Sequence, residues 1–290
     1  MQPGFIIPDP AAAPGTPMPV LASIVAAALA GGVLSAIAAA FTLALTAAWI
    51  PRLVSFAVGA LLGAVFLELL PHALEIGDTH QVMIVTLGGL LAFFLLEKLV
   101  LWRHSHGHET HDDATDETEH DHAMHARAGG HGHGQGHGHD HGRTGLMILI
   151  GNGVHNFCDG IVIAAAFLAD AALGLAATLA IVAHAVPQQI GDFAVLVHSG
   201  YTRGRAFAYN VASGLATLAG ALAAYAALAD MQQALPTVLA IAAASLLYVA
   251  VADLIPSLHR RPEPIETAKQ SALIAAGIGV IAVVHAFLGH

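Results

Sequence analysis

Residues 145–169 have the sequence GLMILIGNGVHNFCDGIVIAAAFLA, an apolar run that carries histidine, asparagine and aspartate near its centre. About 20 predominantly apolar residues are enough to cross a bilayer as one helix. Because ionisable groups inside such a helix are costly, they generally mark a function. The stretch therefore predicts a membrane-spanning helix that carries part of a functional site.

The composition of the remaining chain points to the same class of protein. Of its 290 residues, 56% are hydrophobic and 10% are charged, whereas soluble domains average about 25% charged residues. This excludes an ordinary soluble surface. The chain has twenty histidines but a single cysteine, Cys158, which excludes a disulfide framework and a thiolate cluster. Any metal chemistry has to come from imidazoles and carboxylates.

Apolar runs bounded by proline, glycine or charged residues predict an all-α polytopic membrane protein with eight transmembrane helices. The predicted helices cover residues 21–49, 53–76, 81–102, 145–169, 172–198, 206–228, 236–256 and 270–289. Four segments follow from this layout: a disordered extracytoplasmic N-terminus at 1–20, helices one to three at 21–102, a cytoplasmic histidine-rich loop at 103–144, and helices four to eight at 145–290.

The basic residues predict how the chain crosses the membrane. All ten Lys and Arg residues fall in, or at the edge of, the odd-numbered connections between the predicted helices. Because basic residues mark cytoplasmic loops, we expect the odd connections to be cytoplasmic and both termini to lie outside. The protein is then a multi-pass integral membrane protein, in the inner (cytoplasmic) membrane if its source is bacterial.

A short internal repeat links the second and seventh predicted helices. The sequence Glu-Leu-Leu-Pro at 68–71 ends an apolar run, much as Asp-Leu-Ile-Pro does at 253–256. The three-helix groups at the two ends of the chain could therefore be inverted repeats that flank a central helix pair, a common transporter plan. Because a carboxylate inside an apolar span needs a partner, we expect Glu68 and Asp253 to line an ion path.

The loop between the third and fourth helices is rich in histidine. Its histidines are His104, His106, His108, His111, His120, His122, His125, His131, His133, His137, His139 and His141. Alternation with glycine prevents a packed core and leaves the imidazoles free to bind a cation in many geometries. We interpret the loop as a weak, multi-site metal binder. A solvated polar linker is the alternative interpretation.

Two neighbouring helices carry metal-ligand residues at helical spacing. In the fourth helix, His155 and Asp159 stand at positions i and i+4, on one face and one turn apart. In the fifth helix, His184, Gln188 and Asp192 follow one another in steps of four. Two imidazoles with two oxygen ligands suit Zn(II), and Fe(II) or Mn(II) can use the same donors.

These motifs resemble the ZIP (Zrt- and Irt-like protein) family of divalent-metal transporters. Its fourth-helix motif His-Asn-Phe-x-Asp-Gly is complete from His155 to Gly160. The fifth helix keeps part of the family motif His-Glu-x-Pro-His-Glu-x-Gly-Asp, namely His184, Pro187, Gly191 and Asp192. The eight spans, the outward termini and the histidine-rich loop also match this family.

The resemblance implies a binuclear centre halfway across the membrane. The first ion would be held by His155, Asp159, His184 and Gln188. Asn156, Gln188 and Asp253 would contribute to a second. This chain differs from the family motif at three positions, with Ala185 in place of the first Glu, Gln188 in place of the second His, and Gln189 in place of the second Glu. We therefore expect one working site.

The resulting hypothesis is a transporter, not an enzyme, that moves zinc or a similar divalent ion into the cytoplasm. Zinc is then the transported ion and no cofactor is expected. The expected partners are divalent metal ions and the lipid bilayer, not nucleic acid, and a homodimer is left open. The alternatives are a cation-diffusion-type metal exporter, an intramembrane metal-dependent hydrolase and a metal sensor that binds without transporting.

Overall fold

The computed structural model describes residues 17–42, 49–105, 141–259 and 263–288. Within these residues, eight helices are long and apolar enough to cross a membrane. The prediction of an all-α polytopic membrane protein is confirmed. Most of the predicted N-terminal segment and of the histidine-rich loop lies outside the described residues.

We number the eight spanning helices α1 to α8. Their bounds are Pro17–Thr42 for α1, Ile50–Ile76 for α2, Thr79–Ser105 for α3, His141–Ala169 for α4, Ala171–His198 for α5, Arg203–Leu228 for α6, Gln232–Leu258 for α7 and Pro264–Leu288 for α8. Odd-numbered connections leave the bundle at one end, which we call the odd end. The other connections define the even end.

Several helices are longer than the apolar pattern predicted. Helix α1 begins at Pro17, inside the segment predicted to be disordered. Helix α3 ends at Ser105 and α4 begins at His141, both inside the predicted loop. Hydrophobicity marks the part of a helix that lies in the bilayer, whereas backbone hydrogen bonding can continue the helix beyond it. The predicted boundaries were therefore too short at these ends.

Close glycine contacts join α1, α4, α5 and α6 into one set of helices, which we call the inner set. A Cβ atom on Gly32 of α1 would lie 2.0 Å from the carbonyl oxygen of Gly214 in α6. A Cβ atom on Gly160 of α4 would lie at the same distance from the carbonyl oxygen of Thr217. Small residues allow such backbone contact between membrane helices, where packing provides most of the attraction.

Helices α2, α3, α7 and α8 form the second, outer set. In it, a Cβ atom on Gly59 of α2 would lie 2.0 Å from the carbonyl oxygen of Ile274 in α8, and one on Gly89 of α3 would lie 2.8 Å from Ala244 in α7. The outer side of α3 exposes several large apolar side chains, Leu87 among them. Such a surface suits contact with lipid.

Helices α2 and α7 share an unusual local structure. A six-residue π-helical segment, Ala64–Leu69 in α2 and Val249–Leu254 in α7, precedes a proline at the second position of the following helical segment. Glu68 and Asp253 are each the fifth residue of the segment. The similarity between 68–71 and 253–256 in the sequence therefore extends to the backbone, and π segments often occur at functional sites.

Candidate metal centre

Three of the predicted ligands meet between α4 and α5. His155 and His184 bring their Nε2 atoms to 3.3 Å from each other. The Oδ2 atom of Asp159 lies 3.5 Å from Nε2 of His155 and 3.3 Å from Nε2 of His184. Among the described residues, this trio forms a candidate metal-ligand cluster.

The edges of this triangle have the length that a tetrahedral zinc ion requires. Zn–N and Zn–O bonds of about 2.0–2.1 Å at a tetrahedral angle separate two ligand atoms by about 3.3 Å. The three contacts of the trio measure 3.3, 3.3 and 3.5 Å. The trio therefore resembles one face of a tetrahedron and leaves a fourth position for another ligand.

Burial and hydrogen bonding orient the donors of the trio. The side chains of Asp159 and His184 are each 1% exposed, and that of His155 is 20% exposed. Nδ1 of His184 lies 3.0 Å from the carbonyl oxygen of Ala180. Because a carbonyl only accepts, Nδ1 carries the proton and Nε2 offers its lone pair to the trio. Both carboxylate oxygens of Asp159 are buried without a hydrogen-bond partner, which suits a carboxylate that binds a cation.

A cavity of about 340 Å³ adjoins the trio between the two helix sets. The inner set contributes His155, Asn152 and Gln188 to its lining, and the outer set contributes Glu97 and Asp253. Gln188 and Asp253, both predicted ligands, therefore line the space next to the trio. Either could supply an oxygen at the fourth position.

The cavity lies toward the odd end of the bundle. Glu97 and Asp253 are exposed side chains near the odd ends of α3 and α7, which end at Ser105 and Leu258. The hydroxyl group of Tyr248 donates a hydrogen bond to Glu97 across these two helices. Toward the even end, by contrast, Ile163 of α4 and Ile181 of α5 are closely packed, at 0% and 1% exposed. An ion therefore has access to the trio from the odd end in this conformation.

Asn156 does not join the trio. Its side-chain amide donates a 2.7 Å hydrogen bond to the hydroxyl group of Ser213 in α6. Successive residues of an α-helix differ by about 100° in direction, so Asn156 faces α6 while His155 faces α5. The family resemblance implies Asn156 as a metal ligand, whereas in this structure its side chain forms a hydrogen bond between α4 and α6.

Asp192 lies apart from the trio as well. Eight residues separate it from His184, which corresponds to about 12 Å along a helix, too far for one ion to be bound by both side chains. Its carboxylate interacts with the Asn152 side chain instead. Spacing in steps of four places His184, Gln188 and Asp192 on one side of α5. A single ion, however, needs ligands at the same position along the helix axis.

Glu68, predicted to line an ion path, lies near the even end of α2. Its side chain is 7% exposed, and its Oε1 atom lies 3.2 Å from Nδ1 of His285 in α8. No sequence pattern indicated this pairing, because it depends on how α2 and α8 pack.

A polar network behind the metal site was also missed at the sequence level. The side-chain amide of Gln189 donates to the carbonyl oxygen of Gly32 in α1, and the Asn210 amide donates to the backbone oxygen of Gln189. An ionised glutamate at position 189 could not donate this bond, which gives a physical reason for the departure from the family motif. The sequence pattern that could have indicated this network is the spacing of Asn210, Ser213 and Thr217, which places three polar residues along one face of α6.

Comparison with known families identifies the class of protein that carries this site. A family model described as the ZIP zinc transporter matches residues 18–285. The chain belongs to the ZIP family. This membership decides against a cation-diffusion exporter, and it confirms that the chain is a transporter-family protein with zinc as cargo and not an enzyme with a zinc cofactor.

Individual ZIP proteins align with between 41% and 83% of the chain. Zinc transporter ZIP13 of Homo sapiens is 29% identical over 275 residues, covering 83% of this chain and 72% of the relative. Zinc transporter zipt-7.2 of Caenorhabditis elegans is 31% identical over 261 residues, covering 78% and 56%. Zinc transporter ZIP4 of Homo sapiens is 38% identical over 118 residues, covering 41% and 18%.

Proposed function

We propose that this ZIP protein imports zinc, or a similar divalent ion, and that His155, Asp159 and His184 hold the ion halfway through the membrane. The observation that carries the proposal is the triangle of three donors with edges of 3.3–3.5 Å. Two imidazoles and one carboxylate form a typical donor set for zinc. Fe(II) and Mn(II) can use these ligands too.

The fourth ligand comes from the cavity. Gln188 lies one turn after His184 and lines this space, as does Asp253, and water can fill the position when neither does. With Ala185 in place of a carboxylate, the set of donors for a second ion is incomplete. The protein then carries one ion at a time.

Movement of the inner set against the outer set provides alternating access. The metal trio belongs to the inner set, whereas Glu97 and Asp253 belong to the outer set. The close glycine contacts described above, and the bonds Asn156–Ser213 and Tyr248–Glu97, each join helices of the same set. The two sets can therefore slide past each other without breaking these contacts, carrying the ion from one end to the other.

The charge distribution supports a direction of transport. The odd end carries the basic residues and is cytoplasmic by the positive-inside rule, so the cavity faces the cytoplasm in this conformation. Glu97 and Asp253 are then the first carboxylates that an ion leaving the trio meets. The histidine-rich loop lies on this side and collects or senses the released ion. Deletion of residues 104–141 should leave transport intact and alter its regulation.

Purified full-length protein in liposomes tests the function. We expect saturable zinc uptake that is abolished by His155→Ala and by His184→Ala and retained by His259→Ala, an exposed histidine remote from the site. Unchanged uptake in both site variants would reject the site. Stoichiometric zinc binding without flux would instead indicate a sensor.

The direction needs a separate measurement in cells. Expression of the protein should raise cytoplasmic zinc, measured with an intracellular fluorescent indicator, and His184→Ala should remove the increase. A fall in cytoplasmic zinc on expression would contradict import while leaving metal transport in place.

A further inference from the structure

A second group of metal-ligand residues lies near the even end, on the opposite side of the trio from the cavity. The Oε1 atom of Glu68 in α2 and the Nδ1 atom of His285 in α8 are 3.2 Å apart. This contact does not have hydrogen-bond geometry, and the buried Oε1 atom has no hydrogen-bond partner. A buried carboxylate oxygen without a hydrogen bond is costly, and either a protonated His285 or a divalent cation held between the two side chains would offset that cost.

The π-helical segment of α2 directs Glu68 toward His285. One turn earlier on this face, Gly63 contacts Ile281 of α8, since a Cβ atom on Gly63 would lie 3.1 Å from that side chain. Four residues separate Ile281 from His285, but five separate Gly63 from Glu68. A regular α-helical turn would place Leu67 opposite His285, whereas the wider π-helical turn places the Glu68 carboxylate there. Leu67 is accordingly exposed and Glu68 is buried.

Two further ionisable residues, His72 and Asp170, lie near this pair. His72 stands four residues after Glu68, and the two side chains lie within electrostatic range of each other. Asp170 also lies within this range, but its carboxylate accepts hydrogen bonds from the backbone amides of Ala172 and Leu173 at the start of α5. Glu68 and His285 therefore remain as the two donors in contact with each other.

We propose that Glu68 and His285 form a second binding site for a divalent cation of the zinc class at the even end of the bundle. The side chain of His285 is 58% exposed while that of Glu68 is 7% exposed, so an ion approaching from this end meets the imidazole first and the carboxylate next. The site itself does not depend on transport. Its role as the capture site before the central trio rests on the proposed direction.

A binding experiment tests the site without requiring transport. In full-length protein carrying Cys158→Ser and His285→Cys, the introduced thiol is the only one, and a thiolate is itself a zinc ligand. We expect micromolar zinc to slow its alkylation by about tenfold, and Glu68→Gln to remove this protection. Absence of protection, or protection that persists with Glu68→Gln, would overturn the proposal. His80→Ala, an exposed histidine at the same end, is the matched control and should leave the protection intact.

Uptake kinetics distinguish a ligand pair from a structural ion pair. Glu68→Gln and His285→Ala should each raise the KM for zinc by about tenfold with little change in kcat. Glu68→His keeps a zinc ligand but cannot form an ion pair with His285, so it should retain a KM close to that of the unmodified protein. Equal impairment by Glu68→His and Glu68→Gln would show a structural role. If the unmodified protein does not transport zinc, the proposed function fails, while the alkylation result still decides the site.

Discussion

Nε2 of His155 and Nε2 of His184 lie 3.3 Å apart on two antiparallel helices. Two imidazole nitrogens at this distance repel each other if both present lone pairs, so a proton or a metal ion has to lie between them. Nδ1 of His184 already carries its proton toward Ala180. Protons and zinc therefore compete for the space between the two Nε2 atoms.

Uptake should consequently weaken as the solution becomes more acidic. Zinc binds imidazole only in its neutral form, so a proton held at Nε2 of His155 or His184 has to leave before the ion binds, while Nδ1 of His184 keeps its own. The KM for zinc should rise as the pH falls, by at most about tenfold per pH unit for each competing proton. Initial uptake rates across a range from about pH 8 to about pH 5 measure this. A KM independent of pH would contradict ligation by these two histidines.

Asp159→Asn should separate stability from function. The buried carboxylate has no hydrogen-bond partner at either oxygen, and its Oδ2 atom contacts only the two imidazoles. When both imidazoles are neutral, as zinc binding requires, they do not compensate the buried charge, which is then destabilising. The variant should therefore unfold at a higher temperature than the unmodified protein in the presence of a chelator, yet lose stabilisation by zinc and lose uptake. Asp230→Asn, at an exposed aspartate, should change neither property. A lower unfolding temperature for Asp159→Asn in chelator would indicate a structural carboxylate.

Gly160→Ala should loosen the contact between α4 and α6. Its Cβ atom would lie 2.0 Å from the carbonyl oxygen of Thr217, so the helices have to separate, at a loss of about 3 kcal/mol in the free energy of unfolding. A Cβ atom on Gly153 of the same helix would meet no neighbouring atom of the described residues within 4 Å, which makes Gly153→Ala the matched control. Thermal unfolding in detergent, monitored by size-exclusion chromatography, compares the two. Equal stability would show that α4 and α6 can separate freely.

The hydrogen bond between Asn156 and Ser213 should contribute to stability and not to zinc binding. A double-mutant cycle with Asn156→Ala and Ser213→Ala should give a coupling of about 1 kcal/mol, because the bond joins α4 to α6 at 2.7 Å. Both single variants should bind zinc with nearly unchanged affinity by calorimetry. Loss of affinity in Asn156→Ala alone would instead support its role as a ligand, which the family motif implies.

Gln188→His should strengthen zinc binding. The side chain lines the cavity beside His155, and neutral imidazole is a better zinc ligand than an amide oxygen. We expect the KM to fall by about tenfold, equivalent to about 1.4 kcal/mol, and kcat to fall with it if release becomes limiting. Gln188→Ala should not produce this gain. An unchanged or raised KM in Gln188→His would show that position 188 does not contact the ion.

Much of the central site could be predicted because helical spacing is a local property. His155 and Asp159 are one turn apart in any α-helix, and their occurrence in apolar runs marked them as functional. The same argument failed for Asp192, because residues on the same side of a helix can still lie too far apart along its axis to bind one ion. Asn156, which only the family resemblance implied as a ligand, contacts α6 instead, because one position along a helix turns a side chain toward a different neighbour.

Contacts between helices depend on information that spacing does not contain. The pairing of Glu68 with His285 requires the π turn in α2, and the bond between Tyr248 and Glu97 requires α3 to pack against α7. The partners are far apart in the sequence, so helical spacing could mark Glu68 as a residue of the ion path without indicating His285 as its partner.

The sequence by itself determined the membrane class, the eight helices, the family and the two helix faces that carry the metal ligands, because hydrophobicity and helical periodicity act over a few turns. Only the tertiary structure decided which donors reach one point, which end the cavity opens toward and which carboxylate pairs with which imidazole. All three depend on how each helix is rotated about its axis and shifted along it relative to its neighbours. Close backbone packing at glycine residues sets that rotation and that shift.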